Sequence, residues 1–104
     1  MGLCIIGAND IFRYVRQRDA ILVDLRSGEA HRDFHIRGAV SVPAEQLPRF
    51  MKLTDKNRVH IFYCQHGSQS IQAGKIYARR GYNICSVAGG IDSYLRMKAN
   101  DRTG

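Results

Sequence analysis

Two short, almost uninterrupted apolar runs constrain this chain most: Ala20-Ile21-Leu22-Val23 and Val59-His60-Ile61-Phe62-Tyr63. Runs without apolar–polar alternation mark strands buried within a domain. Tyr82-Asn83-Ile84-Cys85-Ser86-Val87 reads as a further strand, and Gly38-Ala39-Val40-Ser41-Val42-Pro43 as a short one stopped by proline. Helix-like stretches separate them. Ile11–Arg18 carries Ile11, Phe12, Tyr14 and Val15 at helical spacing, with Asn9 or Asp10 as its cap. Glu29–Phe34 holds a helical turn. Ala44–Leu53 is a helix provided that Pro48 sits in its first turn. Asp55–Arg58 is a turn. Ser70–Arg80 is a helix with Ile71, Ile76 and Ala78 facing inward, closed by Gly81. Gly89-Gly90 turns the chain into a last helix, Ile91–Met97, and Lys98–Gly104 is a polar tail. Alternating strands and helices predict one α/β domain over residues 1–104, core at about 6–97, with a mainly parallel sheet.

The composition narrows the function classes. The longest apolar runs fall far short of the ~20 residues that a membrane-spanning helix needs, and the N-terminus lacks the pattern of a signal peptide. A cytoplasmic protein with no membrane partner is expected. Three cysteines, Cys4, Cys64 and Cys85, are too few for a disulfide framework and have no zinc-like spacing. The net charge is +7, but the basic residues are dispersed, which argues against nucleic-acid binding and leaves steering of small anions as a secondary effect.

Chemistry concentrates at Cys64. It ends the Val59–Tyr63 strand and is followed by Gln65-His66-Gly67-Ser68-Gln69-Ser70 and then by a helix. A tight loop of small and polar residues at a helix start can aim backbone N–H groups, and the positive end of the helix dipole, at a sulfur in its mouth. Gly67 supplies the backbone freedom for the turn, and Ser68 or Ser70 can cap the helix. The competing reading is a buried core cysteine, but a core strand would not stop in so polar a loop. The imidazole of His66 can move a proton or hold an anion; Gln65 and Gln69 can donate to a substrate oxygen. Each of these three equally fits a solvated loop residue. Cys4 and Cys85, in apolar segments, read as inert. Asp24 and Arg26 share one side of a strand end, either bordering the site or tying down the next loop. His31, His35 and His60 read as structural or surface residues.

Four segments, in order, resemble the rhodanese homology domain. Ile21-Leu22-Val23-Asp24-Leu25-Arg26 is similar to its apolar strand ending in Asp-x-Arg. Glu29 through His35-Ile36-Arg37-Gly38-Ala39 to Pro43 is similar to its Glu, His-Ile-x-Gly-Ala and Pro stretch. Cys64-Gln65-His66-Gly67-Ser68-Gln69-Ser70 matches its Cys-x-x-Gly-x-x-Ser loop, and Gly81-Tyr82 with Val87-Ala88-Gly89-Gly90-Ile91 its closing strand and Gly-Gly turn. The resemblance implies a small parallel sheet flanked by helices on both faces, with Cys64 as the catalytic nucleophile and the loop residues Gln65, His66, Gly67, Ser68, Gln69 and Ser70 around the substrate. It implies sulfur transfer from a small anionic donor such as thiosulfate to cyanide or a thiol, or to a protein acceptor, through a Cys64 persulfide, with no metal or organic cofactor. Two departures stand out. Gln69 replaces the arginine that many members carry before the final Ser, and Tyr94 replaces the frequent Trp after the Gly-Gly turn. Alternative roles are a persulfide carrier for a protein partner, or an arsenate reductase or phosphatase. The phosphatase loop needs Cys-x5-Arg, and here Ser70 stands at the arginine position.

Overall fold

The computed structural model describes residues 2–100. The elements run β1 (Cys4–Ile6), α1 (Ile11–Arg18), β2 (Ile21–Asp24), α2 (Gly28–Asp33), β3 (Val40–Ser41), α3 (Leu47–Leu53), β4 (Val59–Tyr63), α4 (Ser68–Arg79), β5 (Asn83–Val87) and α5 (Gly90–Asn100). Every pair of neighbouring strands is parallel, in the order β1-β5-β4-β2-β3.

Side chains alternate across the sheet, so adjacent residues feed opposite cores. Leu22 and Ile61, partners in register, join Ile11, Val87, Ile91 and Tyr94 under α1 and α5. The next pair, Val23 and Phe62, joins Leu47, Met51, Tyr77 and Ala78 under α3 and α4. The apolar runs of β2 and β4 are thus buried on both faces, the reason they lack alternation.

Local corrections have physical causes. Asp10 occupies the N-cap position of α1, but its side chain makes no capping hydrogen bond; a 3-10 turn over Ala8–Asp10 leads into the helix, and the Asp10 carboxylate pairs with Arg13 at 3.0 Å. Pro48 does sit in a first turn, but α3 starts at Leu47 after a separate 3-10 turn over Ala44–Gln46. α4 begins two residues before the expected Ser70, and its inward positions are Ser70, Gly74, Tyr77 and Ala78; Ile76 points outward, 46% exposed. Gly81 closes α4 as expected: its N–H donates to Ala78 O and that of Tyr82 to Tyr77 O, both at about 3 Å. α5 runs on through Lys98–Asn100, where a polar tail was expected, and the rest of that tail, 101–104, lies outside the described residues. β1, three residues long, is an addition; so brief a segment has no periodicity to betray it. Tyr94 is buried and meets Phe12 edge-to-face at 6.3 Å, filling the place expected of a large aromatic.

Candidate active site

Cys64 follows the last residue of β4 and is 3% exposed. The chain then turns through Gly67, whose φ of 109° lies in the region that glycine alone enters at little cost. That turn brings two backbone N–H groups onto the sulfur: Gly67 N at 3.1 Å and Ser70 N at 3.3 Å from Sγ. Gly67 is the N-cap residue of α4 and has no side chain to cap it, and neither Ser68 nor Ser70 does so. The Cys64 sulfur takes the role instead, accepting from the third helical residue as a capping oxygen would. A negative sulfur there is held by charge-assisted hydrogen bonds and by the positive end of the helix dipole.

Ser70 lies under the sulfur. The Cys64 thiol donates to its Oγ at 3.6 Å, its own O–H donates to Gly67 O at 3.1 Å, and the Ser86 hydroxyl stands 2.7 Å away. Both serines are fully buried. Ser86 therefore supports the loop from β5, a role the sequence reading missed. Its signal was a hydroxyl inside a buried strand, where a polar group needs a partner.

The outer side of the loop is tied to α5. The N–H groups of Ile91 and Asp92 donate to the carbonyls of Cys64 (2.9 Å) and Gln65 (3.2 Å). This docking is so close that a Cβ on Gly90 would stand 2.4 Å from Cys64 O. The Asp92 carboxylate accepts from Gln65 Nε2 at 2.7 Å and pairs with His66 Nδ1. The Gln65 hydrogen bond outweighs desolvation and, with His66 adding to it, holds the Asp92 carboxyl below its ordinary range. Gln65 and His66, expected to face a substrate, are thus engaged at the rim by an acid that the sequence reading did not single out. An acid in the first turn of a helix was the available signal. Ser68 and Gln69 are exposed, and Gln69 borders a cavity of about 320 Å³ with Leu25, Leu47 and Tyr77.

Asp24 and Arg26 tie down the neighbouring loop. Asp24 is fully buried and accepts from Arg26 N (3.0 Å), Nε (3.1 Å) and Nη2 (2.9 Å) and from Tyr63 O–H (3.0 Å), with His31 Nδ1 at 2.9 Å. Burial works against the Asp24 charge, but the hydrogen bonds from Arg26 and His31 outweigh it and hold the carboxyl below its ordinary range. Arg26 also donates to Phe34 O, and Tyr63 O–H accepts from Ile36 N at 3.2 Å. The chain between β2 and β3 is fastened beside the strand that carries Cys64. His60 is structural as expected, buried between Thr54 Oγ1 (2.8 Å) and Arg58 O (2.9 Å).

The fold and site define a parallel α/β domain with a cysteine seated in a backbone cradle at a strand's carboxyl end, the end of such sheets where ligands bind. The rhodanese-like domain family model matches residues 10–97, and the chain belongs to that family. Thiosulfate sulfurtransferase GlpE of Shewanella oneidensis is 26% identical over 95 residues, covering 90% of this chain and 94% of that protein. Thiosulfate sulfurtransferase PspE of Escherichia coli is 32% identical over 78 residues, covering 73% of this chain and 75% of that protein. A tRNA uridine(34) hydroxylase of Hamiltonella defensa is 29% identical over 98 residues, and there the chain spans only 28% of its relative. The crystal structure of a rhodanese-related protein from Thermoplasma volcanium superimposes with a TM-score of 0.81 at 23% identity, over 90% of this chain and 92% of that one. At the level of the family, the chain is of the rhodanese sulfurtransferase type. Among the described residues, no helix is long and apolar enough to cross a membrane.

Proposed function

We propose that the chain moves sulfane sulfur from thiosulfate, or a similar small anionic donor, to cyanide or a thiol, with Cys64 as the carrier. The observation that carries this reading is the Cys64 sulfur in the N-cap place of α4, with N–H donors at 3.1 and 3.3 Å. The thiolate attacks the outer sulfur of thiosulfate. A Cys64–S bond forms, the sulfur–sulfur bond of the donor breaks, and its electron pair leaves with sulfite. Cyanide or a thiolate then attacks the terminal sulfur, and the Cys64 thiolate leaves. The charge stays on sulfur throughout, so donors already in place stabilise it without rearranging.

A second reading, a persulfide carrier fed by a protein partner, draws support from one feature. Residues 65–70 contain no lysine or arginine, and Gln65 and His66 are both occupied by Asp92. That leaves a dianionic donor little side-chain charge to bind. Intact-protein mass spectrometry after incubation with thiosulfate separates the two readings. A gain of one sulfur, removed by cyanide and absent in a folded Cys64→Ser variant, is the expected result. A gain only from a persulfide donor selects the carrier, and no gain from either donor overturns both.

A further inference from the structure

A pair of thiols, Cys4 and Cys85, lies away from Cys64, toward the amino ends of the strands. Cys4 opens β1 and is partner in register to Cys85 of β5, with both side chains in the core under α1 and α5. Cys4 is half-buried and Cys85 buried, and neither is in a disulfide. A cavity of about 380 Å³ reaches both from the amino ends of β1, β4 and β5, bounded by Tyr14 and Arg18 of α1. The Tyr14 hydroxyl is 3.9 Å from Cys4 Sγ, and the Arg18 guanidinium lies 5.4 Å from the Tyr14 ring centroid.

The register sets the two thiols side by side on one face of the sheet. Parallel neighbours stand ~4.8 Å apart, and at that spacing one bridging atom, with two bonds of the ~2.3 Å usual for metal thiolates, can join both sulfurs with the strands in place. Among the described residues, no group of three or more Cys, His, Asp or Glu could hold a metal ion, so the site suits a centre satisfied by two sulfurs. Soft acceptors choose thiolates over oxygen and nitrogen ligands. Arg18 supplies positive charge beside the two thiolates that binding would create. Binding a thiophilic centre as two thiolates releases both thiol protons.

We propose that Cys4 and Cys85 form a second thiol site, which binds one thiophilic centre, a trivalent arsenical or Cu(I), between two thiolates. With an arsenic(III) oxide, two arsenic–sulfur bonds form, the arsenic–oxygen bond breaks, and both thiol protons leave with the oxygen as water. With Cu(I), two copper–sulfur bonds form and two protons pass to buffer. Neither step changes an oxidation state, and neither involves Cys64 chemistry.

The test uses the full chain carrying Cys64→Ser, so that only this pair can respond. Phenylarsine oxide is added and the protein read by native mass spectrometry. The expected result is one adduct, at the mass of the arsenical less one water, lost in both Cys4→Ala and Cys85→Ala. Cys4 lies at the sheet edge, so Cys4→Ala stays decisive where Cys85→Ala fails to fold. A parallel arm offers Cu(I) in competition with a chromogenic chelator. Equimolar uptake of either ligand that depends on Cys4 supports the site, and the responding arm identifies the ligand. Uptake of neither, or uptake unchanged by Cys4→Ala, overturns it.

Discussion

Replacing Gly90 by alanine tests whether the docking of α5 sets the geometry of the Cys64 loop. Gly90 has a φ of 60°, a conformation that costs a residue with a side chain ~1–2 kcal/mol. Its Cβ would lie 2.4 Å from Cys64 O and 2.6 Å from Gln65 O, backbone atoms that cannot turn aside. Relief to 3.0 Å requires a relative shift of about 0.6 Å. The same two carbonyls accept the Ile91 and Asp92 N–H groups at 2.9 and 3.2 Å, so that shift strains both hydrogen bonds. At ~1 kcal/mol for each bond, the total destabilisation comes to about 3–4 kcal/mol. That corresponds to a fall in Tm of at least ~12 °C for a domain of this size. Sulfur loading of Cys64 slows by ~100-fold, since displacements of this order at a reacting centre cost about that much. Gly38→Ala is the control: its φ of 86° is also left-handed, but its Cβ meets nothing within 4 Å. It carries the backbone cost alone, ~1–2 kcal/mol. Urea unfolding and single-turnover mass spectrometry of both variants make the comparison. If Gly90→Ala unfolds within about 0.5 kcal/mol of Gly38→Ala and loads sulfur at the parental rate, the close approach of α5 does not govern the loop.

Gln69→Arg adds a cation to the loop and lowers the KM for thiosulfate in a steady-state cyanide assay; an unchanged or higher KM counts against the charge argument. Ser86→Ala removes the 2.7 Å partner of Ser70. Alkylation of Cys64 by iodoacetamide slows about fivefold, the equivalent of the ~1 kcal/mol of one neutral hydrogen bond, and an unchanged rate would mean that Ser86 only fills space. Asp24→Asn leaves the Arg26 guanidinium buried without its carboxylate and destabilises by ~3 kcal/mol in denaturant titration. Because folding holds the Asp24 carboxyl below its ordinary range, its stabilisation is complete above the unfolded value near ~3.9 and fades as the pH falls through the lower folded value. The parent should therefore lose Tm below about pH 4 more steeply than Asp24→Asn, measured by scanning calorimetry.

What could be read directly from the residues was what depends on near neighbours in the chain. The apolar runs of β2 and β4 follow from burial on both faces, and the bounds of α1 from helical periodicity. The turn at Gly67 and the helix after it are likewise local, so Cys64 and its backbone cradle were legible as a unit before any fold was known. The inward face of α4 was less so, because its buried positions include Ser70 and Gly74, which carry no apolar signal. Tertiary structure alone decided what joins distant segments. Strand order places β5 beside β4, and only then does Ser86 meet Ser70 across 16 residues. Packing of α5 turns Gln65 and His66 toward Asp92, and pairing of β1 with β5 sets Cys4 against Cys85. Periodicity and turn chemistry act within a few residues, whereas these contacts depend on which strands become neighbours, a choice made by the core as a whole.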